Sequence, residues 1–512
     1  MGESFFGTTF ECACGRTHRI LPRHSFYCDD AAARLAHACC ELTAGRRVIV
    51  LVDARTRAAA GDAVAAAFAG AGWTPLPVVV PDPARGKSPV CDDRTRQSLD
   101  SRLPSADLIC PVGAGVINDL GKWAATDRRL PHVTFATAAS MNGYTSANIA
   151  PTIGGLKRLL EGQAPQFAAS SPAVLAAAPY ELTASGLGDA LAKSVSSADW
   201  LCNHLLFGDY YCERSVRLIE EIEPLYLRGM GILPMSECDA GVSPACAEGI
   251  LPSSSQFPAV SSVSPVSFLA QREQQQQKQQ QQRRGQDDRD TRGRDALATG
   301  GQDVRDTHGQ DARATALQAL YEALLLTGAA MTMAGTSAPA SGGEHLISHY
   351  LDMVAMAQGT EHDLHGRQVG VGTILASEVY RRVLACESPA LGSIHEKIAA
   401  AAWGEAAGAV EAEYARKLPR LREAKLKLAI GNAWDDLRRS LRPMVRPPET
   451  VRDCLAAASA AHKAEHIGCS RQQLLEALTR AHEIRSRFTI LDLARLAGVL
   501  PDQAYDIIEQ WT

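Results

Sequence analysis

No charge of one sign is in excess. Over 512 residues, 52 Lys and Arg face 57 Asp and Glu, a formal net charge of -5. That near-balance leaves no basic footprint for nucleic acid or an anionic membrane surface. No apolar run approaches the ~20 residues of a bilayer span, so no membrane span is expected. The opening stretch, MGESFFGTTFECACGRTH, lacks a basic segment followed by an apolar one, and no secretory signal is expected. The 14 cysteines follow no framework spacing, which suits reduced thiols in a cytoplasm better than a disulfide scaffold. These absences exclude a secreted mini-protein, a membrane protein and a basic nucleic-acid binder. What is present, 46% hydrophobic residues, is enough for a sizeable core. The expectation is a cytoplasmic globular enzyme of two or three domains.

One segment departs from the rest. Residues 271–282 are almost all glutamine, and an eight-residue period follows, opened by Gly285, Gly293, Gly301 and Gly309. Each unit has almost no apolar face, so stacking the units would bury nothing. Residues 231–315 therefore read as a disordered low-complexity insertion. Before it the pattern is α/β. Strands are expected at 47–53, 76–80, 108–112 and 132–136, with an Ala-rich helix at 55–70. That alternation predicts a parallel, doubly wound sheet. From Pro179 onward strand signals vanish. Helices are expected at 190–221, 316–333, 344–357 and over nearly everything after Glu378, with Gly-rich loops at 335–343 and 358–372. The chain thus reads as a Rossmann-like α/β unit, 1–178, and an all-α unit, 179–512, that carries the insertion. A cleft between such units is a usual place for an active site.

Several clusters suit chemistry. Gly113-Ala-Gly115-Val116-Ile117-Asn118-Asp119 follows a strand directly. Glycines there let a backbone approach phosphate, with a helix start offering free N–H groups; a plain tight turn is the alternative. Asp53 closes a strand and serves either a ribose hydroxyl or a helix N-cap. Thr137-Ala138-Ala139-Ser140-Met-Asn142-Gly-Tyr-Thr-Ser146 is either a polar rim for a small oxygenated ligand or a turn. Ser341 and Glu344 have capping-box spacing and predict a helix start. His345 and His349, four apart, then share one face. His365 sits on a nearby loop, and Asp189 at an expected helix start. An Asp with three His beside glycine turns points to a divalent metal with N and O ligands. Cys12-Ala-Cys14-Gly-Arg-Thr-His18 offers two thiols and an imidazole. With no second Cys pair at zinc-finger spacing, it does not by itself complete a zinc site.

Together these motifs resemble the sn-glycerol-1-phosphate dehydrogenase family, its bacterial branch in particular. That family sits among the iron-type alcohol dehydrogenases, glycerol dehydrogenases and dehydroquinate synthases. The resemblance spans most of the chain outside the insertion. It also rests on Ala178-Pro179, Gly186-Leu-Gly-Asp-Ala-Leu-Ala-Lys193, Asp199-Trp200, Pro339-Ala-Ser-Gly-Gly-Glu-His345, Val369-Gly-Val-Gly372 and Phe488-Thr-Ile-Leu-Asp-Leu-Ala494. It implies a dehydroquinate synthase-like fold and NAD or NADP at Asp53, Gly115, Val116, Ile117, Asn118, Asp119, Thr137, Ala138, Ala139, Ser140 and Ser146. It implies one catalytic zinc or nickel at Asp189, His345 and His365. Asn142, Asp189 and His349 would contact substrate, with Asp189 and His349 catalytic. The implied reaction is reversible reduction of dihydroxyacetone phosphate to sn-glycerol-1-phosphate, and a homo-oligomer is expected. An unphosphorylated polyol substrate, or a catalytically weak paralogue with a binding role, is the alternative. The family's acid at position 142 is here Asn, its Asp near Ser170-Ser171 is missing, and its Arg at position 338 is Ala. Restoring the acid, Asn142→Asp, is expected to raise efficiency. Lys157 and Arg158 are either candidates for the substrate phosphate or, as the more ordinary reading, a solvated basic face.

Overall fold

The computed structural model describes residues 5–84, 87–229 and 303–512. An N-terminal hairpin, β1 (Thr9–Glu11) and β2 (Thr17–Arg19), precedes the main sheet. That sheet holds β3 (His24–Tyr27), β4 (Arg47–Val52), β5 (Thr74–Val79), β6 (Leu108–Gly113), β7 (Thr134–Ala136) and, after four two-residue strands β8–β11 within 148–161, β12 (Phe167–Ser170). All its pairings are parallel, in the order β3-β12-β7-β6-β4-β5. The expected strands are present within two residues at each end. The hairpin, β3 and β12 escaped prediction because they are short and largely lack alternation or long apolar runs.

Strand residues alternate between two faces, as a pleated strand requires. Val48, Val50 and Val52 pack against α1 (Ala31–Ala38) and, beyond the short α2 (Ala54–Thr56), α3 (Asp62–Gly70). Ile49 and Leu51 pack on the opposite face with α4 (Asp93–Asp100) and α5 (Gly115–Arg128). Full burial of each such side chain contributes about 1.5–3 kcal/mol, which holds the sheet between two helical layers.

After the short α6 (Pro172–Ala176) the described chain is helical: α7 (Tyr180–Leu191), α8 (Lys193–Phe207), α9 (Glu213–Gly229), α10 (Asp303–Ala334), α11 (Gly343–Gln358), α12 (His365–Ala385) and α13 (Ala407–Leu428), then shorter helices to Trp511. These share one large core, which reaches Ala136, Ala139 and Tyr144 at the edge of the sheet.

The structure bears on four expectations and corrects three of them. Most of the insertion expected at 231–315 lies outside the described residues, but its last stretch does not: α10 already begins at Asp303. Ala, Arg and Gln there are good helix formers and extend a helix nucleated by the buried Leu320–Leu325 region. Second, Ala314–Ala334 passes a bilayer span's test of length and mean hydropathy, 1.2, but 67% of its apolar window is buried inside the molecule, as in a core helix, so the expectation of no span is not overturned. Scattered Gln318, Glu322 and Thr327 hide it as an apolar run. Third, the loop expected at 358–372 ends at Leu364, so His365 opens a helix rather than riding a loop. Fourth, Asp189 lies in the last turn of α7, not at a helix start.

Candidate active site

The carboxyl ends of the central strands form one edge. Register places Leu51 beside Pro111 and Gly113 beside Ala136, so Asp53, Gly113 and Thr137 follow in line. The chain leaves β4 for β5 on one side and returns to β6 on the other. That is a topological switch point, where open α/β sheets bind ligands. Asp53 caps α2: Arg55 and Thr56 N–H groups each donate to its Oδ1 at 2.8 Å. α5 opens at Gly115 with no side-chain cap, so the first N–H groups, from Gly115, Val116 and Ile117, have no intrahelical partner.

The loop after β7 packs down on α5. Lys122, fully buried, donates to the carbonyls of Gly143 (2.8 Å) and Asn148 (2.9 Å) and approaches Ser146 Oγ at 3.4 Å. Asn118 donates to Gly143 O and accepts from Thr134 Oγ1. Asp119 accepts from Ala150 N. Asn118, Asp119 and Ser146 thus hold the loop in place, while Thr137, Ala138, Ala139 and Ser140 form its buried base.

Two donations from this loop reach Asp189 on α7. Asn142 N–H donates to Asp189 Oδ2 at 2.9 Å, and Asn142 Nδ2 to Asp189 Oδ1 at 3.1 Å. Lys193, one turn on, approaches the same Oδ1 at 3.1 Å. Burial pushes the Asp189 carboxyl up, but Lys193, His345 and His365 outweigh it and hold it well below the usual carboxylate range.

α11 supplies His345 and His349. It does not start by the expected capping box: Gly342 is the N-cap, Glu344 Oε1 accepts from Gly342 N at 2.8 Å, and Asp199 Oδ2 accepts from Gly343 N at 2.7 Å. A buried carboxylate from another helix therefore replaces the Ser341 hydroxyl. Glu344 Oε1 also lies 2.7 Å from His345 Nδ1, so that nitrogen carries the proton and Nε2 faces Asp189 at 3.4 Å. His365 is set the same way. Ser348 spends its proton on Gln368 Oε1 (2.8 Å) and accepts from His365 Nδ1 (3.1 Å), leaving Nε2 free. Burial first, then His345, pushes His365 down to about 3, so its ring is neutral. Ligand atoms of Asp189, His345 and His365 all lie within 4.8 Å of one another. One carboxylate and two imidazoles, each ring with its Nδ1 held by a second partner, fit a divalent cation and leave coordination positions open.

His349 completes a three-imidazole face, its ring stacked 5.6 Å from His365. Burial, then Arg485, holds it well below its ordinary value. Arg485 Nη2 lies 3.5 Å from His349 Nδ1. Among the described residues Arg485 has no ion pair, and burial with Arg487 nearby pushes it down to about 10. Of the two expected phosphate candidates, Arg158 is paired with Glu413 at 2.8 Å, while Lys157 stands 3.7 Å from Asp352 and within electrostatic reach of His349. Sequence reasoning missed Arg485, which no local pattern announces. It also missed Lys193, whose i, i+4 spacing from Asp189 is visible in the sequence, and Ser348 and Gln368. Ala338, where the family carries Arg, is buried; Arg487 instead binds Thr336, Ser337 and Ser341 in that loop.

A family model described as iron-containing alcohol dehydrogenase matches residues 28–179. The glycerol-1-phosphate dehydrogenase, NAD(P)+, of Bacillus velezensis is 26% identical over 87% of this chain and 84% of its own. That of Bacillus licheniformis is 25% identical over 96% and 93%. The chain is similar to these glycerol-1-phosphate dehydrogenases over most of its length, and to the iron-containing alcohol dehydrogenases over residues 28–179. The fold matches the crystal structure of glycerol dehydrogenase from Schizosaccharomyces pombe with a TM-score of 0.52 at 14% identity, over 96% of this chain and 92% of that one.

Proposed function

We propose that the protein is an NAD(P)-dependent sn-glycerol-1-phosphate dehydrogenase, reversibly transferring hydride between the nicotinamide and C2 of dihydroxyacetone phosphate. The observation that carries this reading is the double donation from Asn142 to Asp189, which sets the metal-ligand cluster against the carboxyl edge of the sheet. A nucleotide at that edge and a small oxygenated substrate at the cluster then meet. The named relatives of similar length support the substrate.

Each group has a role within this reading. The first amides of α5 (Gly115, Val116, Ile117) receive the cofactor pyrophosphate. Asp53, whose Oδ2 accepts from the exposed Arg55 at 3.2 Å, receives a ribose hydroxyl, and Asn118, Asp119 and Ser146 hold the loop whose base, Thr137–Ser140 in sequence, walls the nicotinamide. The nicotinamide supplies hydride chemistry. A zinc or nickel ion at Asp189, His345 and His365 supplies Lewis-acid polarisation of the carbonyl. His349, neutral and beside the cluster, passes the proton to the C2 oxygen through water. Arg485, with Lys157, binds the phosphate; its unpaired buried charge is the feature that favours a phosphorylated substrate over a free polyol. The chain then divides functionally into a nucleotide-binding unit, 1–178, and a metal- and substrate-binding unit, 179–512. Its free thiols support a cytoplasmic location, and exposed Leu426 and Ile430, each 69% accessible, support self-association.

The test is substrate discrimination. Arg485→Ala raises KM for dihydroxyacetone phosphate by about tenfold or more, the value of a charge-assisted contact, and leaves turnover of dihydroxyacetone nearly unchanged. Equal effects on both substrates would contradict the phosphate assignment.

A further inference from the structure

A second convergence of metal-ligating side chains lies in the N-terminal hairpin, apart from the catalytic cluster. Cys12 and Cys14 occupy the turn between β1 and β2, and His18 lies on β2. The turn is closed by Cys12 N donating to Arg16 O and Gly15 N to Cys12 O; Gly15, at φ +81°, takes the left-handed conformation the turn needs. Nearly two hundred residues later, Cys212 stands just before α9 and is fully buried. It supplies the fourth donor that the sequence motif lacked.

The spacings match a filled tetrahedron. Cys12 Sγ and Cys212 Sγ are 3.9 Å apart, His18 Nε2 is 3.2 Å from Cys14 Sγ and 3.6 Å from Cys212 Sγ, and all four donors lie within 4.8 Å of one another. Zinc–sulfur bonds of ~2.3 Å in a regular tetrahedron place two sulfurs about 3.8 Å apart. A disulfide requires ~2.05 Å, so the sulfurs are spaced as co-ligands rather than as a bonded pair. The surroundings are those of a structural site. Tyr210 OH lies 3.2 Å from Cys14 Sγ, placed to donate to a thiolate. Phe10 packs on the His18 ring, and Trp200, Val216, Ala334 and Ala338 form an apolar wall. Arg16 stacks over Tyr210 at 3.5 Å.

We propose that Cys12, Cys14, His18 and Cys212 bind a second, structural zinc ion. Three thiolates and one imidazole are a soft set with no open position, suited to holding structure rather than to catalysis. The ion ties the N-terminal hairpin to the turn between α8 and α9. α8 begins with Lys193, which contacts Asp189, so the tie braces the helix that borders the active site.

The full-length protein, purified under reducing conditions and loaded with zinc, should hold two equivalents per chain. His345→Ala removes one of them. Cys12→Ser and Cys212→Ser each remove the other and lower the melting temperature. Cobalt substitution of the wild type reads the site without any variant. Thiolate ligation gives an intense near-ultraviolet sulfur-to-cobalt charge-transfer band, which Asp189, His345 and His365 cannot produce; the band persists in His345→Ala and vanishes in Cys212→Ser. Absence of the band in the wild type, or a single zinc equivalent removed entirely by His345→Ala, would overturn the proposal. So would a Cys12–Cys212 disulfide in the zinc-loaded protein.

Discussion

Asn142 directs both its backbone and side-chain N–H groups at Asp189, the proposed metal ligand, rather than standing free for substrate. That geometry reverses the expectation that Asn142→Asp improves efficiency. A carboxylate in that place would lose the side-chain donation and set a like charge ~3 Å from Asp189, raising the Asp189 pKa. Because Lys193 and the histidines hold Asp189 low, the wild type should keep its ligand ionised far into acid. In Asn142→Asp the acid limb of the kcat/KM profile should move to higher pH by about one unit or more, with metal lost over the same range. An unmoved limb would count against the clamp. Glu344 offers a second test at this scale. It fixes the His345 tautomer through Oε1. Glu344→Gln should weaken metal binding about 10–100-fold, read by titration in metal buffers; unchanged affinity would reduce Glu344 to a helix-start residue. The grouping of Asp189, His345 and His365 as candidate ligands, which the structure brings together, was legible in the sequence. Their orienting partners were less so, because Ser348, Gln368 and Arg485 acquire roles through contacts across helices that no spacing encodes.

At the scale of elements, α7 and α12 bring Asp189 and His365 together by unusually close packing. A Cβ on Gly188 would collide with the carbonyl oxygen of Gly366, and one on Gly366 with that of Ser185. These glycines therefore serve helix contact. Read from sequence alone, the run at 358–372 looks like a loop because glycine is a poor helix former; tertiary contact overrides the propensity. Gly188→Ala should force the helices apart, costing roughly 1–3 kcal/mol and lowering metal content together with the melting temperature. Retained metal at a lowered melting temperature would show that the close contact holds the fold and not the site. The strands of the sheet were legible because β4 and β6 are continuous apolar runs. β3 and β12, with Ser25 and Ser170 in the run, were not.

Over the whole molecule, the sheet edge presents Asp53, the start of α5 and the loop after β7, and the helices present a cation site, His349 and Arg485. Asn142, hydrogen-bonded to Asp189, joins the two halves at the site. The α/β-then-α order was visible from where strand signals stop. The tie between Cys12, Cys14 and His18 and the distant Cys212 was not, since sequence separation hides a fourth ligand. The central claim is that this assembly reduces a phosphorylated ketone with a metal-dependent, nicotinamide-linked reaction. The direct measurement is oxidation of NADH and NADPH by the purified protein with dihydroxyacetone phosphate, before and after treatment with a chelator, with the stereochemistry of the product determined. The account predicts oxidation of at least one of the two cofactors that yields sn-glycerol-1-phosphate, is abolished by the chelator and is restored by zinc or nickel. Turnover that survives complete removal of metal, or formation of the opposite enantiomer, would contradict it.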